Sequence, residues 1–276
     1  MAFGKRTAKQ ATFNPWYAFL LVVVLGVTFG MRIYYGLKPD VGAPTADVPA
    51  VTYEEVVNEP PVVTEPEVID EPAPETVVEP EPPNQVSPAQ FNLAVPFTSQ
   101  APTGNWDPLH EDACEEASFY MVQQFYAGIP AGKIDPNVAD PELQRMVHAG
   151  ESLAQGPSIS LAEAQEFLLA DSKTVSHVID NPTVFDIKSL LAEGKPVIVP
   201  AAGRELGNPF FTGEGPLYHM LVIRGYTETT FITNDPGTRL GENYAYDIDV
   251  LMAAIGDWNN SDPTHGASRI LYLDPQ

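Results

Sequence analysis

The chain contains a single cysteine, Cys114, so the thiol is either a small buried hydrophobe or a group with chemistry to perform. A thiol nucleophile needs a base close enough to draw off its proton and a third group that fixes the base's tautomer. Three residues fit those roles in chain order. Cys114 heads the run Glu115, Glu116, Ala117, Ser118, Phe119, Tyr120, Met121, Val122, whose helical spacing ends at Gly128. The free N–H groups and dipole of a helix start favour a thiolate. His219 enters the apolar strand pattern Met220-Leu221-Val222-Ile223. Asp235 closes Thr230-Phe231-Ile232-Thr233-Asn234, and a hairpin through Thr227-Glu228-Thr229 folds it back toward His219. Taken alone, a strand histidine is usually a satisfied core or edge residue, and Asn-Asp-Pro-Gly is ordinary turn chemistry. The order of all three on matching elements is what makes a constellation.

The elements that must position these groups fall into two blocks. Helical signals cluster between Cys114 and Gly194. Asp140-Pro141 opens a helix with Gly150 beyond its end, Ser160 and Glu163 form a capping box ahead of Ala164 to Leu169, and Thr183 with Asp186 repeats it ahead of Ile187 to Ala192. Strand signals follow, at Pro196-Val197-Ile198-Val199-Pro200, in the hairpin carrying His219 and Asp235, and at Arg269 to Leu273. Helices first and an antiparallel sheet second predict an α+β domain. Tyr120, Phe125 and Tyr126 recur at helical spacing and read as core. His110, Glu111 and Asp107 hold one histidine and no second soft ligand, which is a poor metal set. No phosphate loop, zinc pattern or nucleotide fingerprint is present, and neither cofactor nor metal is expected.

The first 90 residues lack the pattern of a core. Residues 1–14 form a basic tail with Lys5, Arg6 and Lys9, and residues 15–36 contain the apolar run from Trp16 to Tyr35, close to the roughly 20 residues that span a bilayer. The boundary Phe29-Gly30-Met31-Arg32 offers large residues where a signal peptidase needs small ones, which favours a retained anchor. The basic flank predicts a cytoplasmic N-terminus, a single pass through the cell membrane and an extracytoplasmic C-terminal domain. Residues 37–90 read as a disordered stalk, with Glu-Pro recurring at Glu59, Glu65, Glu71, Glu79 and Glu81. Residues 91–276 make one globular domain of ordinary size.

The net charge is -23, and the segment from Phe91 onward carries 25 acids against 9 bases. So acidic a chain repels phosphate backbones, which excludes nucleic acid as a partner.

Val95-Pro96-Phe97-Thr98-Ser99-Gln100, then Trp106, then Ala113-Cys114-Glu115-Glu116-Ala117-Ser118, resemble the opening of the C39-like peptidase family. Leu191-Ala192-Glu193-Gly194-Lys195-Pro196-Val197-Ile198-Val199, His219 before its strand, and Asp235-Pro236 resemble that family's second half. The resemblance spans the domain after the stalk. It implies a papain-like fold with the Cys114 helix packed on the sheet, Cys114 as nucleophile, His219 as base, Asp235 as the residue that orients the base, and Gln100 as a contributor to the oxyanion hole. The sequence departs from it in places. Pro108 stands six residues before the cysteine, where a glutamine is common, so Gln100, Asn105 and His110 are all candidate oxyanion donors; Tyr218 replaces a frequent glycine. Asp107, Glu111, Asp112, Glu115 and Glu116 crowd the thiol with charge that opposes its ionisation.

The expectation is an extracytoplasmic thiol hydrolase that cuts peptide or isopeptide bonds in a peptide or protein substrate. The alternatives are an inactive peptide-binding module on a membrane stalk, and a cell-wall amidase or acyl transferase with the same triad.

Overall fold

The computed structural model describes residues 43–58, 88–153 and 155–275. The basic tail and the membrane-segment reading of residues 1–36 lie outside them. Among the described residues no helix is long and apolar enough to cross a membrane.

In chain order the elements are α1 (Tyr53–Asn58), β1 (Phe91–Asn92), α2 (Pro108–Glu111), α3 (Cys114–Tyr126), α4 (Pro136–Ser152), α5 (Leu161–Ser172), β2 (Ser176–Asp180), α6 (Val184–Ala192), β3 (Val197–Ala202), β4 (Tyr218–Tyr226), β5 (Thr230–Asn234), β6 (Tyr244–Asp247), α7 (Ile248–Ala254) and β7 (Arg269–Leu273). This is the α+β arrangement, with four helices of the first half preceding most of an antiparallel sheet.

Local chemistry accounts for the helix starts. Ser160 and Thr183 each cap a helix through a complete capping box with Glu163 and Asp186. The helix assigned to Asp140-Pro141 begins five residues earlier, at a second Asp-Pro pair: Asp135 is the N-cap, its side chain accepts from the Asn137 N–H, and Pro136 is the first helical residue. Pro141 therefore lies inside α4 and Gly150 within its last turn. Both signatures fit the same rule, and only the earlier one has an aspartate whose carboxylate reaches the first turn.

The sheet runs in the order β2-β7-β3-β4-β5-β6, with β1 also paired to β4, and every pairing is antiparallel. All nine residues of β4 are buried, the apolar residues 220–223 together with His219 and Arg224, which have hydrogen-bond partners. β3 covers Tyr218–Ile223 on one edge of β4, and β1 continues that edge at Gly225 and Tyr226. A bulge at Arg224 interrupts the pairing of β4 with β5. There the buried guanidinium donates to Asn92 Oδ1 (3.0 Å), Leu93 O (2.8 Å) and Val95 O (2.8 Å), fastening the chain's entry into the domain. The next residue must be glycine: a Cβ at Gly225 would lie 2.4 Å from Phe91 O. Helix α3 packs against β4, and Phe119, Met121 and Val122 of the helix share one buried core with Met220, Leu221 and Val222 of the strand.

Part of the segment assigned to the stalk is folded onto this domain. Ala245 N–H donates to Pro44 O (2.7 Å), Val51 N–H to Asn92 O (2.9 Å), and Val56 is buried. The Tyr53 ring sits edge-on to Phe125 and Tyr126 at 6.1 and 5.2 Å between centroids. Thr52 and Glu55 cap the short helix reciprocally, the Thr52 N–H donating to Glu55 Oε2 (2.7 Å) and the Glu55 N–H to Thr52 Oγ1 (3.3 Å). Three apolar side chains, at 51, 53 and 56, are enough to anchor a segment whose composition is otherwise acidic and proline-rich.

Candidate active site

Helix α3 starts at Cys114 with Ala113 as its N-cap residue, and no side chain caps it. The residue before the helix thus supplies no capping oxygen to the first-turn N–H groups, which lie at the thiol's end of the helix. His219 is the second residue of β4, opposite Ala201 of β3. Asp235 directly follows β5, whose Asn234 pairs with Val222, so continuing the register sets Asp235 across from Leu221 and on the same face as His219. A diagonal cross-strand pair of this kind reaches: His219 Nε2 lies 2.7 Å from Asp235 Oδ1, with both residues buried. Cys114, His219 and Gln100 line one cleft of about 570 Å³, whose walls also carry Trp106, Glu115 and Trp258.

The orienting carboxylate is saturated. Asp235 Oδ1 also accepts from Gly237 N–H (2.9 Å), and Oδ2 from Tyr246 O–H (2.5 Å) and Asn208 Nδ2 (3.0 Å). Burial alone would raise its pKa, but the His219 charge and hydrogen bond, then Tyr246 and Gly237, outweigh burial and hold the carboxyl below its ordinary value. An ionised carboxylate only accepts, so the His219 Nε2 must carry hydrogen, and Nδ1 is the nitrogen that can take a proton. The ring is confined on its other sides. Phe211 meets it edge-on at 5.3 Å, and a Cβ at Gly237 would come within 2.9 Å of its Cε1.

The thiol's hydrogen bond goes to Glu115 Oε2 (2.9 Å) rather than to His219. Burial pushes the Cys114 thiol well above its ordinary pKa, the Glu115 charge and hydrogen bond add to this, and the backbone N–H of Met220 works in the opposite direction. Burial likewise raises Glu115 to about 7 and Glu116 to about 8, the latter helped by the Glu115 charge. In this arrangement Cys114 is a protonated thiol.

Of the three side chains considered as oxyanion donors, only Gln100 lines the cleft, and its amide is already committed. Gln100 gives both amide hydrogens to carbonyls of α2, His110 O (2.9 Å) and Glu111 O (2.8 Å). Its buried Oε1 has no hydrogen-bond partner and can only accept. The amide cannot turn over, because Oε1 would then face two carbonyl oxygens. Asn105 Nδ2 is bound to Asp107 Oδ2 (2.7 Å). His110 Nδ1 bonds to Asp107 Oδ1 (2.7 Å), while its buried Nε2 lies 3.2 Å from Asp140 Oδ1 on α4 without a hydrogen bond. The backbone N–H of Cys114 at the helix start is a donor of the kind an oxyanion hole uses. Among the described residues no group of three or more His, Cys, Asp or Glu is placed to hold a metal ion.

Sequence reasoning picked out the cysteine, histidine and aspartate and missed Glu115, Tyr246 and Asn208 as their partners. Glu115 was visible only as one of several acids near the thiol. Tyr246 and Asn208 carried no local signal, since each reaches Asp235 only through the packing of β6 and of the loop after β3.

Residues 92–264 match the Peptidase_C39 like family. No protein of curated function matches the chain. Among solved structures, one described as a C39-like peptidase from Bacillus anthracis is similar at 14% identity and a TM-score of 0.43, with 68% of this chain and 98% of that chain covered. The family match takes in well over half of the chain, including Cys114, His219 and Asp235, and the chain belongs to the Peptidase_C39 like family.

Proposed function

We propose that the protein is a thiol hydrolase that cleaves peptide or isopeptide bonds through Cys114, His219 and Asp235. The observation that carries this reading is the buried His219–Asp235 pair in the cleft that Cys114 lines. In the cycle, His219 Nδ1 takes the thiol proton and the sulfur attacks the substrate carbonyl carbon. The oxyanion that forms is held by the Cys114 N–H at the helix start. His219 then returns the proton to the leaving amine, and water, deprotonated by the same nitrogen, releases the acyl group from sulfur. Asp235 keeps Nε2 protonated throughout. Residues 15–36 would act as a membrane anchor, holding the domain outside the cytoplasm.

A digest of a peptide and isopeptide library tests the reading. Cleavage by the wild type is expected, with a loss of about a thousandfold or more in Cys114→Ser. Finding no Cys114-dependent cleavage of any member would contradict it. One observation favours a second reading, a peptide-binding module without turnover: the thiol hydrogen rests on Glu115. That reading expects the same peptides to bind Cys114→Ala and wild type equally and to leave the wild type intact.

A further inference from the structure

The hydrolytic cycle leaves one buried titratable group beside the sulfur without a part. Glu115 is 2% exposed; its Oε2 accepts the Cys114 S–H at 2.9 Å, and its Oε1 accepts the backbone N–H of Ile159 at 3.3 Å. The thiol has a single hydrogen. While that hydrogen lies on Glu115 it is withheld from His219, and a thiolate formed there would face an unscreened like charge at hydrogen-bond distance. The two chemical forms of Glu115 thus act on the sulfur in opposite senses: the carboxylate can only accept, whereas the carboxylic acid can donate.

We infer that Glu115 is a protonation-dependent brake on Cys114, holding the thiol hydrogen away from His219 when ionised and donating a hydrogen bond to the thiolate when protonated. The inference rests on the proposed roles of Cys114 and His219. In the released state the Cys114 proton moves to His219 Nδ1, the sulfur keeps the electron pair, and the Glu115 O–H turns to the sulfur. Only protons move.

The surroundings of Glu115 set where this change occurs. On its own helix, Glu116 brings like charge near the thiol, and Asp112, two residues before the helix, does the same to Glu116. From β4, His219 favours the ionised form, and the neighbouring Tyr218 commits its hydroxyl hydrogen to Ile159 O at 2.9 Å. The segment leading into α5 offers the Ile159 N–H, while Asp257 and Glu163 accept from the Leu161 and Ser160 N–H groups instead. Burial dominates, and the carboxyl is raised to about 7, so the brake engages as pH rises through neutrality.

The test is the rate of Cys114 alkylation by iodoacetamide as a function of pH, in the wild type, Glu115→Gln, Glu116→Gln and the double variant Glu115→Gln/His219→Ala. The brake predicts that Glu115→Gln reacts at least about tenfold faster than wild type near pH 8, that the gap closes near pH 6, and that Glu116→Gln changes the rate less. An equal or slower rate for Glu115→Gln near pH 8 overturns it. If Glu115→Gln is fast but the added loss of His219 leaves the rate unchanged, the brake stands and the proposed Cys114–His219 pairing fails. Should Glu115→Gln not fold, wild-type thiolate absorbance near 240 nm, blanked against Cys114→Ser, decides the matter. The brake requires that absorbance to fall between about pH 6 and pH 8, and a steady rise overturns it.

Discussion

Asp235 does its work through being over-supplied with donors. Four hydrogen bonds reach its two oxygens, from His219, Gly237, Tyr246 and Asn208, and they keep a carboxylate charged at a fully buried position. Removing one donor should weaken the hold on the imidazole without dismantling the site. Tyr246→Phe is expected to lower kcat/KM about three- to tenfold and stability by about 1 kcal/mol, and a urea melt alongside peptide turnover would separate the two effects. The types and order of Cys114, His219 and Asp235 were legible because a helix start, a strand start and a strand end each leave a local mark. The donors around Asp235 were not, because a tyrosine on β6 and an asparagine after β3 meet it only in three dimensions. Gln100 shows the same limit from the other side: its place in the chain matched a donor, yet two carbonyls of α2 consume both of its amide hydrogens.

Elements with a chemical start or a buried centre were readable from the sequence. The two capping boxes form at Ser160 and Thr183, and the strand at Arg269–Leu273 has the expected bounds. β2 and β6 escaped notice: none of the five residues of β2 is fully buried, and β6 is four residues long at the edge of the sheet. Short, half-exposed strands carry little periodicity. The device that joins the entry segment to the sheet left one local mark, the glycine in Val222-Ile223-Arg224-Gly225, which signals a bulge or a close backbone approach without naming the partner. Arg224→Met should leave the carbonyls of Leu93 and Val95 without their donor and destabilise the domain by about 3 kcal/mol or more, read as a shift in the urea midpoint. A loss under about 1 kcal/mol would show that the guanidinium is dispensable to the fold.

For the molecule as a whole, the charge balance has a consequence for pH. Glu116 titrates near 4.5 when unfolded and at about 8 when folded, with burial as the main cause. A carboxyl that binds its proton more tightly in the folded state adds stability below the unfolded value, and that stability drains away as pH rises toward the folded one. Glu116→Gln should therefore gain up to about 4 kcal/mol over wild type near pH 8 and under about 0.5 kcal/mol near pH 4.5, measured by urea unfolding at the two pH values. A gain of equal size at both would point to packing and away from ionisation. The extent of the domain was the least legible feature at this scale. Composition placed residues 43–58 in an acidic stalk, while Val56 and Tyr53 pack them on the domain.

The central claim is that His219 activates Cys114 for attack. Intact-mass labelling with a peptidyl vinyl sulfone probes that step without knowledge of the natural substrate, because the probe's alkene is captured by an activated thiolate. One adduct per chain is expected on wild type, none on Cys114→Ser, and a rate at least about a hundredfold lower on His219→Ala. Equal labelling of His219→Ala and wild type would contradict the account.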